Sequence, residues 1–97
     1  MVVSYPGYVN FEIIRQDAGS PAVNYIFNRL SDSVLIDNLD TTNGAFINFN
    51  DTAGTGSTSL YIPPSQGRAF DLRIGSVSIL GSGATTPEFQ VISLNSN

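Results

Sequence analysis

An all-β domain, an antiparallel β-sandwich or small jelly-roll-like barrel of about 7–8 short strands with no substantial helix, is what this sequence predicts. Three observations carry the prediction. Apolar and polar residues alternate in short runs, and no i, i+3, i+4 apolar pattern outlasts one turn. The runs recur at roughly 8–12 residues and end on Gly, Pro, Asn or Asp. Within them stand Val, Ile, Phe, Tyr and Thr, the residues that suit a pleated, half-buried surface.

The elements follow in order. Val2 to Tyr8 is apolar and aromatic but broken by Pro6-Gly7, so residues 1–8 read as an N-terminal arm and residues 9–97 as a single sandwich domain. Val9, Phe11 and Ile13 alternate with Asn10 and Glu12, predicting a strand to Gln16 with the odd positions inward, closed by the turn formers Asp17 to Pro21. From Ala22 to about Leu30, Val23, Tyr25 and Phe27 share a face. Ile26 and Leu30 add apolar groups to the opposite face, predicting a central strand covered on both sides. Val34-Leu35-Ile36 is a further strand, and Asn43-Gly44 has the chemistry of a two-residue hairpin turn with positive φ.

Ala45, Ile47 and Phe49 then alternate with Phe46, Asn48 and Asn50, and Asp51 to Ser57 reads as the most flexible loop. Leu60 and Ile62 form a strand stopped by Pro63-Pro64. In the long run from Arg68 to Leu80, Phe70, Leu72 and Ile74 have one parity and Val77 and Ile79 the other. A phase slip across Gly75-Ser76 demands a bulge or a corner. A turn at Gly81-Ser82-Gly83 and a strand from Phe89 to Leu94 complete the domain.

Ninety-seven residues accommodate one two-layer core. Charged residues make up only 12%, against about 25% in an average protein. The solvated faces must instead be covered by the 12 Ser, 7 Thr, 9 Asn and 9 Gly. Net charge is −4, and Arg15, Arg29, Arg68 and Arg73 are scattered, so nothing predicts a nucleic-acid surface. No basic, apolar secretory leader is recognisable at Met1 to Pro6, and no stretch approaches the ~20 apolar residues that span a bilayer.

His, Cys and Lys are all absent. Nucleophilic relays through imidazole or thiolate, Schiff bases, disulfides and imidazole or thiolate metal sites are therefore excluded. Glu12, Glu88 and six Asp remain for acid–base work. So short a chain has little wall to enclose a substrate, and the expectation is a protein that is not an enzyme and needs no cofactor. Asp37, Asn38, Asp40 and Asn43 gather oxygen ligands of the kind calcium takes, but their spacing is not that of an EF-hand and turn capping accounts for them. The glycine-rich stretches at Gly54 and Gly81 lack the lysine and helix of a phosphate loop and read as turns. Asp71 and Arg73 fall on one strand face as an exposed pair. Tyr5, Pro6 and Tyr8 in the arm are the candidates for partner contact, tyrosine being enriched at interfaces, whereas Tyr25 belongs to the core.

Across residues 23 to 94, the order of Asn28-Arg29-Leu30-Ser31, Phe46-Ile47-Asn48-Phe49-Asn50, Leu60-Tyr61-Ile62-Pro63-Pro64 with Gly67, and Phe70-Asp71-Leu72 resembles small β-sandwich accessory proteins of tailed-phage virions. The resemblance implies a capsid decoration (cement) protein of the virion. Such a protein docks as a homotrimer on the major capsid protein, or on another virion protein, and tightens the shell without catalysis. The alternative is a carbohydrate- or receptor-binding module, tail or fibre associated, that reads a glycan with a sheet face or with the loops Thr41 to Gly44 and Asp51 to Ser57.

Overall fold

A computed structural model of the chain describes residues 10–56 and 58–95. The eight strands are β1 (Asn10–Asp17), β2 (Val23–Ile26), β3 (Ser33–Asn38), β4 (Ala45–Asn48), β5 (Leu60–Ile62), β6 (Gly67–Phe70), β7 (Ser76–Gly81) and β8 (Glu88–Asn95). A single 3-10 turn, Ser82–Ala84, joins the last two. Two four-stranded antiparallel sheets result, ordered β1-β8-β3-β6 and β2-β7-β4-β5. First pairs with last, second with seventh, third with sixth and fourth with fifth, alternately in one sheet and the other. This is the winding of a jelly roll, realised as a two-layer sandwich.

The core lies between the layers. Val34, Ile36, Phe89 and Val91 from the first sheet meet Tyr25, Ala45, Ile47, Ile62, Val77 and Ile79 from the second, all buried. A polar contact also joins the layers: the Tyr25 hydroxyl, from β2, donates to the Gln16 carbonyl of β1 at 2.8 Å.

The phase slip after Ile74 is a corner. β6 ends at Phe70, residues 71–75 cross to the other layer, and β7 starts at Ser76 with its inward positions reset. Ser31 stitches the crossing: its hydroxyl donates to the Leu72 carbonyl and accepts the Ile74 N–H, while its own N–H bonds the Ile74 carbonyl. At the end of β7, Gly81 is fixed by close approach, since a Cβ there would overlap the Thr85 carbonyl oxygen.

Several expectations are corrected. In β1 the inward residue is Ile14, which packs on the core, while Ile13 is 53% exposed. Adjacent isoleucines leave the parity open, and register decides it: Ile14 sits opposite the buried Val91. β2 is a four-residue edge strand, not a central one, and Ile26 is 69% exposed. Asn43-Gly44 makes no hairpin, because β3 and β4 belong to different sheets and neither residue has positive φ. Gly44 instead makes room for the Tyr61 ring, which a Cβ would strike.

Burial, reinforced by the negative charges of Asp17 and Glu88, pushes the Tyr25 phenol well above its ordinary value. A phenol kept neutral in the folded state but free to ionise when unfolded contributes fully below pH ~10, and that contribution drains away as pH rises further. Tyr25→Phe is therefore expected to cost about 1–2 kcal/mol at neutral pH, by orphaning the Gln16 carbonyl. It should also lessen the loss of stability above pH ~10, whose slope for one such group is about 1.4 kcal/mol per pH unit. Urea melts from neutral pH to pH ~11.5 measure both, and identical alkaline slopes in the two proteins would refute the assignment.

Candidate interaction surface

The outer face of the first sheet carries an apolar row. Alternation places Ile13, Ile92 and Leu35 outward, and register sets Ile13 beside Ile92, Ile92 beside Leu35 and Leu35 beside the exposed Ala69. Next to this row Arg15 holds Glu88 with two contacts, 3.2 and 3.3 Å, an exposed pair worth at most ~1 kcal/mol. Among the described residues, β1, β6, β2 and β5 are the outermost strands of their sheets. β6 is the barest: Gly67, Arg68 and Ala69 are all exposed.

The second sheet's outer face is different. Tyr61 and Phe46 stack obliquely at 5.2 Å near β5, and the connection after β4 folds over the rest. That connection, expected to be the loosest, is pinned at several points. Asn48 donates its amide to the Thr58 carbonyl and to the Ser59 hydroxyl, and its Oδ1 accepts the N–H groups of Asn50 and Asp51. Ser78 accepts the Ala53 N–H at 2.9 Å, and Ala53 is buried. Between this loop and β2 remains a cleft of about 260 Å³. Asn48 followed by Asn50-Asp51 is an Asx-turn pattern, so the pinning was written in the sequence.

The sequence-predicted residues fall as follows. Tyr5, Pro6 and Tyr8 lie outside the described residues, as does Val9. The chain enters β1 at Asn10, beside a cleft of about 180 Å³ bordered by Phe11, Glu12 and Asn28. The Glu12 carboxylate there accepts the N–H groups of Asn28 and Arg29 at 2.8 and 3.2 Å. Asp71 and Arg73 do not pair: the strand that would align them ends at Phe70, and Arg73 reaches Asp32 at 3.2 Å. The loop Thr41 to Gly44 and the described part of the second loop, Asp51 to Gly56, flank opposite ends of β4, so the structure does not bring them into one site.

The oxygen-rich loop is bonded to itself. Asn38 donates its amide to the carbonyls of Asn43 and Pro63, and its Oδ1 accepts the Asp40 N–H. Asp40 Oδ1 takes the N–H groups of Thr42 and Asn43 at 2.7 and 2.8 Å, and Asn43 reaches its second oxygen. These groups cap backbone, and no group of three or more His, Cys, Asp or Glu side chains gathers among the described residues. Among those residues, too, no helix is long and apolar enough to cross a membrane.

With this geometry in view, comparison with known proteins gives one informative likeness. No protein-family model matches the chain, and no curated protein matches it. Among solved structures the chain is similar to one from Bacillus endospore appendages, described as a novel family of disulfide-linked pili, with a TM-score of 0.53 and 20% identity over 90% of this chain and 87% of that one. At that identity the likeness shows the fold: both are small all-β proteins.

The backbone N–H groups of Asn43 and Thr42, with the Asn43 side chain, hold the Asp40 carboxyl below its usual range against a small opposing effect of burial. A depressed carboxyl lends its stability above the unfolded value of ~3.9 and loses it only as pH falls through the lower folded value. The Thr42 and Asn43 amide resonances should therefore hold steady from neutral pH to about pH 4 and titrate below it, a transition absent in Asp40→Ala. A midpoint at or above the ordinary aspartate value would contradict this capping.

Proposed function

We propose that the protein is a non-catalytic structural subunit that acts by burying its own surface against other protein surfaces, copies of itself first among them. The observation that carries the reading is the outer face of the first sheet, where Ile13, Ile92, Leu35 and Ala69 form an apolar row that runs from one outermost strand, β1, to the other, β6. A face of this kind is stable in water when covered, and a bare edge is a template for a further strand.

The carboxylates support a role without turnover. Glu12, Asp40 and Asp51 accept backbone N–H groups, while Glu88 and Asp32 pair with arginines. The fold likeness to a subunit of Bacillus endospore pili supports a self-assembling structural protein displayed outside the cell. That relative is described as disulfide-linked. These 97 residues contain no cysteine, so no disulfide can link them to a neighbour. The arm, with Tyr5, Pro6 and Tyr8, precedes β1 in the sequence, and in this reading its tyrosines are the aromatic anchors of the contact. The finer reading, a homotrimeric decoration protein seated on the major capsid protein of a virion, rests on the sequence resemblance alone.

Removal of residues 1–8 tests the mechanism, since β1 begins after them. The truncated protein is expected to melt as a folded domain yet to show a lower assembly mass by light scattering than the intact chain. Unchanged assembly mass would reject the arm as the connecting element.

A further inference from the structure

The cleft on the outer face of the second sheet has a polar lining. We propose that it takes an uncharged saccharide, one sugar unit at a time. It is lined by Asn24 of β2, Ser76 and Ser78 of β7, and Asn50, Asp51 and Thr52 of the loop after β4. Its volume of about 260 Å³ falls just below the ~300–1,000 Å³ of pockets for drug-sized ligands.

What matters is which polar atoms are free. Asn48, also in the wall, is fully used in holding the loop, so it shapes the cleft and contributes no contact of its own. Ser78 is only 5% exposed and its oxygen already accepts the Ala53 N–H, which leaves its hydroxyl proton to donate into the cleft. Asp51 uses one carboxylate oxygen on the Thr52 N–H, leaving the other free. The side chains of Asn24, Asn50, Thr52 and Ser76 make no hydrogen bond with the described residues.

The cleft thus offers amides and hydroxyls that both donate and accept, one buried donor, and one carboxylate for a strong charge-assisted contact. Vicinal sugar hydroxyls, each a donor and an acceptor, are the complement of that set. No cation lines the cleft, so phosphate, sulfate and carboxylate ligands meet Asp51 without compensation. Apart from Phe49, whose ring is engaged edge-on with Phe70 at 4.9 Å, the lining has no aromatic platform. Affinity for one sugar is accordingly weak, with Kd on the order of 1 mM. The site is on the face of the sandwich opposite the apolar row, so it does not depend on the assembly proposed above, although many copies in one assembly would raise its avidity.

Saturation-transfer difference NMR on the intact chain tests the site, since it reads weak ligands even on large assemblies. The probes are methyl glycosides of galactose and glucose, N-acetylglucosamine, and the anionic N-acetylneuraminic acid. At least one uncharged probe is expected to give a saturable response, with the anionic probe weaker by ~10-fold or more. Asn24→Ala, at an exposed rim position that bears no loop contact, should weaken binding by ~5–10-fold, and Asp51→Asn should narrow the gap between uncharged and anionic probes. No saturable response from any probe would overturn the proposal, as would binding unchanged in both variants, which would locate the sugar elsewhere. Assembly mass measured on the same samples separates this outcome from failure of the association reading.

Discussion

The structure depends on a constraint of pairing: the last two strands are interior in both sheets. β8 joins β1 to β3, and β7 joins β2 to β4, so neither layer closes until residues beyond 75 are in place. Only β4 and β5 pair as neighbours in sequence. Such a topology gathers contacts between distant segments, and loop-closure entropy opposes it until the hydrophobic core between the layers forms. The alternation of Phe89 with Val91 and of Val77 with Ile79 is what makes both interior strands bury one face completely. Tyr25 adds a directed bond that links the layers.

Because strands alternate between layers, most connections must cross the edge of the sandwich, and their backbone groups need partners there. A chain poor in charge meets that need with Ser, Asn and Asp. Ser31 holds the corner after Phe70, Asn38 and Asp40 hold the crossing from β3 to β4, and Asn48 with Ser78 holds the long connection before β5. The same economy of charge leaves the two outer faces unlike each other. One is an apolar row beside a single ion pair, suited to another protein surface. The other is a cleft of uncommitted amides and hydroxyls, suited to a small polar ligand.

Much of the architecture was legible because a period of two reports strand and face together. The inward sets Val34 with Ile36, Ala45 with Ile47, and Val77 with Ile79 follow from alternation, and the slip between Ile74 and Val77 does mark a change of layer. Legibility failed where a local pattern was degenerate. Ile13-Ile14 satisfies either parity, and only the partner strand chooses. Ile26 and Leu30 read as a second buried face, yet β2 is an edge and both are exposed. Asn43-Gly44 has hairpin chemistry, but the need of β3 to pair with β6 and β8 sends the chain to the other sheet. Of the cleft only the loop that starts at Asp51 was legible, because its other residues come from β2 and β7, segments far apart along the chain.

The central claim is that this molecule works through its surfaces rather than through turnover, and that its own copies are the first surfaces it meets. Sedimentation velocity of the intact chain over a wide concentration range tests this most directly. The account predicts a mass well above that of one 10.4 kDa chain, growing with concentration. A single species of 10.4 kDa at every concentration would contradict it.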